Sequence, residues 1–379
     1  MKKIIFTGGG SAGHVTANLV LIPTCTEENY EIHYIGSENG IEKRLVAEYE
    51  QVHYHGVSTG KLRRYFDWKN VTDVYKVIKG ILQAYLLIRK VKPDVVFSLG
   101  GFVSVPVVLG AKMNGVATII HEPDVHMGLA NRIAYPFATK VCTTFLETKK
   151  NYASKKITHV GAIIKDTLKS GYREQGISFC NFTNEKPVLL VMGGSQGAEK
   201  VNQVVRAVLS DLLINFQVIH LCGPGKIDAS FQQEGYQQFE YVTHVLPDLL
   251  AAADLVVSRA GSNSIHEILA LQKPMLLIPH TSGGTRNGQI RNAENFRNAG
   301  YAEILLQENM INQTFLERVY HLHQNREKYI EQMKTDDSGK AVEKVMELIR
   351  GLDKNKRNLE PLMAKATRFL RYHIQRSEN

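Results

Sequence analysis

Leu255-Val-Val-Ser-Arg259-Ala-Gly261-Ser-Asn-Ser-Ile-His-Glu267-Ile-Leu leads through Lys273-Pro-Met-Leu-Leu-Ile-Pro279 and a Ser/Gly/Thr stretch to Gln289-Ile-Arg-Asn292-Ala293. This reads as a short buried strand, a glycine turn, a helix opened by Ser262 or Asn263, a second buried strand and a polar loop. The first turn of such a helix carries backbone N–H groups without intrahelical partners and the positive end of the helix dipole, which together suit a phosphate. Glu267, one turn further in, has two oxygens to accept hydrogen bonds from a ribose diol. Gln289 and Asn292 are placed to meet sugar hydroxyls from the loop.

The same grammar recurs along the chain. Lys3–Thr7 is a strand, followed by Gly8-Gly-Gly10-Ser-Ala-Gly13-His14 and a helix from Val15 to about Leu21. Strands Glu31–Ile35 and Val52–Gly56 flank a helix, Ile41–Tyr49, and a helix over Val71–Val91 leads into strand Val95–Ser98. Gly100-Gly101 turns that strand into a helix ending near Met113; strand Ala117–Ile120, a polar segment His121–Asn131 and strand Val141–Thr144 follow. The pattern restarts with strand Val188–Met192, the turn Gly193-Gly-Ser195-Gln-Gly197, a helix Val201 to about Leu213, strands Gln217–Cys222 and Phe239–Val242, and helix Leu246–Ala252. Apolar strands alternating with helices predict parallel sheets covered on both faces, and two restarts predict two Rossmann-like halves. Ligands of such sheets lie beyond the carboxyl ends of the strands, where all the glycine turns fall.

Gly8-x-Gly10-x-x-Gly13 formally matches the dinucleotide fingerprint, but the second strand ends Gly36-Ser37-Glu38, where Glu38 is only a marginal ribose ligand. A turn that cradles phosphate or pyrophosphate fits better, and His14 at the helix start is poised to take a proton from a bound hydroxyl. Ser195 and the helix start at Ser262 belong to one sheet and can share one diphosphate. No D-x-D triplet occurs. Without such a metal-binding pair, the charge of a diphosphate falls to helix ends and to Arg259 or Lys165. Arg259 fits a structural carboxylate pair equally well.

Composition sets the frame. The chain has 379 residues, 44% hydrophobic and 22% charged, enough for two ordinary domains. No apolar run reaches the length of a membrane span, and Met1-Lys-Lys-Ile-Ile-Phe enters a strand directly, so no signal peptide is expected. Cys25, Cys142, Cys180 and Cys222 are scattered without metal-ligand spacing and are expected as reduced thiols. The net charge of +9 is uneven: Lys61–Lys92 holds nine basic residues against two acidic, and Leu352–Asn379 seven against three. Such clusters point to an anionic partner.

The residues 8–14, Lys61-Leu-Arg-Arg-Tyr-Phe-Asp67, Phe97-Ser-Leu-Gly-Gly-Phe-Val-Ser-Val-Pro106, Val191–Gly197, Ser258–Gly261 with Glu267, and Gln289-x-x-Asn292-Ala293 carry a resemblance to the MurG family, of the Gram-positive type. It covers residue 2 to about 350. The resemblance implies an α/β fold of the GT-B class, with two Rossmann-like parallel-sheet domains facing a central cleft. It implies an inverting transfer of N-acetylglucosamine from UDP-N-acetylglucosamine to lipid I, an undecaprenyl-diphosphate muramyl pentapeptide, with no cofactor and no metal. Expected bounds are 1–162 for an acceptor and membrane-contact domain, 163–350 for a donor domain and 351–379 for a basic tail. By position it assigns Gly10, Ser11, Ala12, Ser195, Glu267, Gln289 and Asn292 to the donor; Asp124, Lys165, Arg259 and Ser262 are further donor-binding candidates. Gly13, Gly100, Gly101 and Asn131 go to the acceptor, and His14 to proton removal or the acceptor diphosphate. Three departures stand out: Ile163-Ile164-Lys165 where relatives often have Pro-Ile-Arg, Asp124 where some have Asn, and His126-Met127 in place of Thr-Pro. Lysine keeps the charge and loses the two-pronged donor geometry.

Within Val71–Val91, Val74, Ile78, Ile81, Leu82, Tyr85 and Ile88 recur at helical spacing beside Lys76, Lys79 and Arg89. Half of this stripe is needed for the core; the rest, with Trp68 and Lys61–Arg64, suits an anionic membrane surface, which implies a peripheral protein of the cytoplasmic face. Leu362, Met363, Ala366, Phe369 and Leu370 in the tail offer a second such contact. Two other readings remain open: a glycosyltransferase with a diacylglycerol-type acceptor, and a non-catalytic nucleotide-sugar-binding protein. Nucleic acid is disfavoured, because the basic stretch is interleaved with aliphatic rather than aromatic side chains.

Overall fold

The computed structural model describes residues 1–60, 69–152, 154–280, 288–336 and 338–352. The Lys61–Arg64 cluster, Trp68, the stretch 281–287 and the tail contact expected over 359–375 lie outside these residues. Two compact units emerge: Met1–Glu122 with Met127–Gly161 and the described residues from Lys340 on, and Pro123–His126 with Ala162–Gly339. Compared with bounds at 162 and 350, the tetrapeptide 123–126 goes to the second unit and the helix 341–352 to the first.

The first unit runs β1 (Lys2–Thr7), α1 (Thr16–Glu27), β2 (Tyr30–Ser37), α2 (Ile41–Val46), β3 (Val52–Val57), α3 (Lys69–Val91), β4 (Val95–Ser98), α4 (Ser104–Met113), β5 (Ala117–Glu122), α5 (Leu129–Ala134), β6 (Lys140–Thr143), α6 (Leu146–Tyr152) and β7 (Ile157–His159). Its strands are all parallel, in the order β3-β2-β1-β4-β5-β6-β7. Every residue of β4 is buried, as a strand covered on both faces requires. One core packs Ile5, Ile35 and Val96 of the sheet against Ala84 and Ile88 of α3 and Val107 and Ala111 of α4. Helix 341–352 contributes Val345, Met346 and Ile349, all buried, with the Met346 sulfur 3.8 Å from that of Cys25 in α1.

Several boundaries differ from expectation. Helix α1 continues through Pro23 to Glu27, sacrificing one backbone hydrogen bond while Leu21, Ile22 and Cys25 stay buried. Strand β5 extends through His121 and Glu122, which the polar character of that segment had assigned to a loop. The three-residue edge strand β7 carries too short a pattern to be read.

The second unit contains α7 (Arg173–Phe179), β8 (Val188–Met192), α8 (Glu199–Ala207), α9 (Leu209–Asn215), β9 (Gln217–Leu221), β10 (Tyr236–Phe239), α10 (Leu246–Ala252), β11 (Leu255–Ser258), α11 (Ser262–Ala270), β12 (Met275–Leu277), α12 (Gly288–Asn298), β13 (Ala302–Ile304), α13 (Asn312–Gln324) and α14 (Arg326–Met333). The parallel order is β10-β9-β8-β11-β12-β13. The single helix expected over 201–213 is two, broken at Val208. The strand expected over Phe239–Val242 instead spans Tyr236–Phe239, because β10 is an edge strand and only Tyr236 of it is buried. Gln289–Ala293, expected as a loop, is the first part of α12.

Candidate active site

In both sheets the strand order reverses once, between β1 and β4 and between β8 and β11. Ligands of doubly wound sheets settle at such reversals, beyond the carboxyl ends of the strands. In the first unit the turns after β1 and β4 pack on one another. A Cβ on Gly101, where φ is +80°, would lie 2.2 Å from the Gly9 carbonyl oxygen, so only glycine allows this approach. A Cβ on Gly100 would meet Asn131 Oδ1 at 3.0 Å, so the acceptor-side candidates Gly100, Gly101 and Asn131 lie together. Asn131 is buried, and its Nδ2 donates to the His121 carbonyl and to Glu122 Oε2, both at 2.9 Å. Glu122 also accepts the Gly128 N–H at 3.0 Å. Asn131 therefore braces this layer, with its amide nitrogen already engaged.

Ala12–His14 form a single 3-10 turn before α1. The half-buried His14 lies with Nδ1 2.9 Å from the Ser11 hydroxyl, and its backbone N–H donates to the Ser11 carbonyl at 3.1 Å. Ser11 and Gly13 are exposed beside it. The Gly10 N–H, expected to face a ligand phosphate, donates instead to Glu42 Oε2 at 3.2 Å. Sequence reasoning passed over both Glu42 and Glu122. Glu42 was legible in one respect: it lies four residues before Val46 in α2, and both are buried on the same face.

In the second unit, Ser195 is exposed at the tip of the turn after β8, which the Gly197 N–H closes onto the Gly194 carbonyl at 2.9 Å. Neighbouring β11 delivers α11, whose N-cap is Gly261 and whose first-turn N–H groups take no side-chain cap from it. Several residues assigned to the donor are engaged by the protein itself. Ser262 Oγ donates to the Pro123 carbonyl at 2.5 Å. Buried Asn292 donates through Nδ2 to Asp124 Oδ1 (2.9 Å) and the Ala260 carbonyl (3.2 Å), and its Oδ1 accepts the Val125 N–H (3.2 Å). Arg291 lies 2.6 Å from His126 Nε2. Ser262, Arg291 and Asn292 thus clamp 123–126, and the Asn292 amide is used structurally rather than presented from a loop. Gln289 Oε1 accepts the His280 N–H at 2.8 Å. Half-buried Arg259 donates to the Ile278 carbonyl (3.0 Å) and Gln307 Oε1 (2.6 Å), so its hydrogen-bond partners are neutral and not a carboxylate.

Glu267 is half-buried in the second turn of α11. Burial pushes its carboxyl up to about 7, opposed by the nearby Lys165 ammonium. An acid held back from ionising, with a cation beside it, is an acceptor waiting for donors. Helix N-terminus, exposed Ser195, Lys165 and Glu267 are what this unit offers an anionic, hydroxyl-bearing ligand.

Residues 4–143 match the glycosyltransferase family 28 N-terminal domain, and residues 188–349 the glycosyltransferase family 28 C-terminal domain. A protein of Geobacillus thermodenitrificans named UDP-N-acetylglucosamine--N-acetylmuramyl-(pentapeptide) pyrophosphoryl-undecaprenol N-acetylglucosamine transferase is 52% identical over 350 residues, covering 92% of this chain and 98% of its own. The chain belongs to the MurG family. A like-named Bacillus cereus protein is 54% identical over 342 residues, 89% of this chain and 96% of that one. Among solved structures, Acinetobacter baumannii MurG superposes with a TM-score of 0.73 at 20% identity, covering 93% of this chain and all of that one. The calicheamicin glycosyltransferase CalG4 gives 0.68 at 14%, over 93% and 98%. The expected fold and enzyme classes hold: this MurG family member is a glycosyltransferase built from two Rossmann-like parallel-sheet domains of the GT-B class.

Proposed function

We propose that this MurG family member transfers N-acetylglucosamine from UDP-N-acetylglucosamine to the muramyl sugar of lipid I, forming lipid II in one inverting displacement. The observation that carries the donor side is Glu267, half-buried one turn inside α11, the helix that follows β11 at the strand-order reversal of the second sheet, with the Lys165 ammonium near its carboxyl. Its two carboxylate oxygens match the two hydroxyls of a ribose diol. The first turn of α11 and the exposed Ser195 receive the diphosphate, with Lys165 adding positive charge. In the first unit, His14 removes the proton of the attacking sugar hydroxyl while Ser11 fixes its ring through Nδ1. The bond from the anomeric carbon to the acceptor oxygen forms as the bond to the diphosphate breaks, which inverts the configuration.

Labelled UDP-N-acetylglucosamine supplied with a lipid I analogue, and in parallel with diacylglycerol, tests this directly. Product on the lipid I analogue alone is expected; product on diacylglycerol alone, or donor binding without turnover, refutes it. His14→Ala is expected to lower kcat by about 100- to 10,000-fold, the ordinary contribution of a general base, with the donor Kd unchanged.

The lipid acceptor places the enzyme at a membrane, and α3 supplies the surface. Tyr75, Ile78, Leu82 and Leu86 are 69%, 60%, 59% and 55% exposed and follow one another at spacings of three or four residues. Exposed Lys76, Lys79, Arg89 and Lys90 lie on the same helix. Ile88, by contrast, belongs to the core, and Ile81 and Tyr85 are half-buried, so the expected stripe divides between sheet and surface. Among the described residues no helix is long and apolar enough to cross a membrane. We infer peripheral binding to an anionic leaflet at the cytoplasmic face. Ile78→Glu with Leu82→Glu should weaken sedimentation with phosphatidylglycerol vesicles by at least about 100-fold, since burying each such side chain contributes ~1.5–3 kcal/mol. Transfer to a soluble acceptor analogue should be unchanged.

A further inference from the structure

Glu42 is fully buried, yet its hydrogen-bond donors are all neutral. Oε2 accepts the Gly10 N–H at 3.2 Å; Oε1 accepts the Ser37 N–H at 2.8 Å and the Ser37 hydroxyl at 2.5 Å. A carboxylate taken out of water is costly to keep unless such donors converge on it. The surrounding chain is shaped for it. A Cβ on Gly9 would lie 2.4 Å from the Glu42 Cδ, one on Gly36 2.8 Å from its Cγ, and one on Gly40 2.3 Å from its oxygens. Three glycines thus make room for one carboxylate directly beneath the Gly8–Gly13 turn.

In a dinucleotide-binding sheet the N–H groups of this turn face a pyrophosphate. Here the Gly10 N–H faces the protein's own anion. The turn is then a layer held from both sides, with the Glu42 carboxylate below Gly9 and Gly10 and Gly101 packed against the Gly9 carbonyl. The residue after Gly10 is Ser11, whose hydroxyl and carbonyl both bond His14.

We propose that Glu42 is the positioning residue of the acceptor-side machinery: an internal anion, standing where a nucleotide phosphate would, that fixes the turn presenting Ser11 and His14. The proposal rests on the reading of His14 given above. It predicts that removing the carboxylate disturbs the reacting end of the first unit and leaves donor binding in the second intact, which sets the Gly10–Ala12 turn apart from the donor contacts that the resemblance assigned to it.

Glu42→Ala in the full chain, assayed with UDP-N-acetylglucosamine and a lipid I analogue with and without sodium formate, tests it. The expected kcat is about 100-fold below wild type, the loss that misplacing a catalytic group by about 1 Å produces, with the donor KM within about 2-fold. Formate, a free carboxylate small enough for the space left, is expected to restore about 10-fold of that loss and to leave the wild type unaffected. A folded Glu42→Ala enzyme with kcat within about 3-fold of wild type, or one indifferent to formate, overturns the proposal. If Glu42→Ala does not fold, Glu42→Gln decides. It keeps the shape but turns one acceptor into a donor facing N–H groups, so lowered kcat at unchanged donor KM supports the positioning role and unchanged kcat refutes it. A wild type that neither binds UDP-N-acetylglucosamine nor transfers sinks the functional reading itself, whatever Glu42 does.

Discussion

Glu267→Gln is expected to lose transfer by about 100- to 1000-fold and, at pH 8, to melt at a higher temperature than the wild type. The first effect follows from two hydrogen bonds between a carboxylate and a diol, each of about 1.5–3 kcal/mol and only partly replaced by an amide. The second follows from linkage. The Glu267 carboxyl is raised to about 7 in the folded protein by burial, above the ordinary range near 4.5 that it regains on unfolding. Between those values the folded state binds more protons, so its contribution to stability is full below about 4.5 and is lost as pH rises through about 7. Glutamine removes that loss, worth up to about 2–3 kcal/mol at pH 8 and nothing at pH 4. Donor binding takes the opposite sign: it needs the carboxylate, so the Kd for UDP-N-acetylglucosamine should rise as pH falls below about 7. Calorimetric melts and titrations of both proteins at pH 5 and pH 8 test the pair of effects. A Gln variant that binds donor normally, or melts earlier at pH 8, refutes the assignment of this residue.

Gly197→Ala should have the largest effect on stability. At Gly197 φ is +67°, and an added Cβ would lie 1.9 Å from the Cys222 carbonyl oxygen, backbone against backbone. Left-handed strain of ~1–2 kcal/mol adds to an overlap that no side-chain movement relieves, giving a total of about 3–5 kcal/mol and a displaced Ser195 turn. Gly194 supplies the control. Its φ of +84° is equally left-handed, but a Cβ there meets nothing within 4 Å, so Gly194→Ala should cost only ~1–2 kcal/mol. Denaturant melts of the two variants, with donor titrations, separate steric overlap from backbone strain. Equal destabilisation would refute the overlap argument.

Strands such as β1, β4, β8 and β11 were legible because they are buried on both faces and spell continuous apolar runs. Strand β10 was not, since Tyr236-Gln-Gln-Phe at a sheet edge carries too little apolar signal, and the richer Phe239–Val242 drew attention away from it. Helix α12 was missed because its first turns are polar, with only Asn292, Ala293 and Phe296 buried. In the site, glycine turns and the start of α11 could be read because their spacing is local. The engagement of Asn292 with Asp124 joins residues 168 positions apart, and no local pattern announces it. Glu42 was hidden for a related reason: its value lies in the Gly10 N–H, 32 positions earlier.

Helix 341–352 bears on how the enzyme can be cut into pieces. A gene fragment stopped at codon 162 would encode every strand of the seven-stranded sheet but not Val345, Met346 and Ile349, which lie buried within that unit. Such a half-molecule would expose the Cys25 side of α1 to water and is expected to precipitate or bind chaperones. Splicing 338–352 back through a short linker should restore solubility, which makes that helix a requirement for the first half to exist alone.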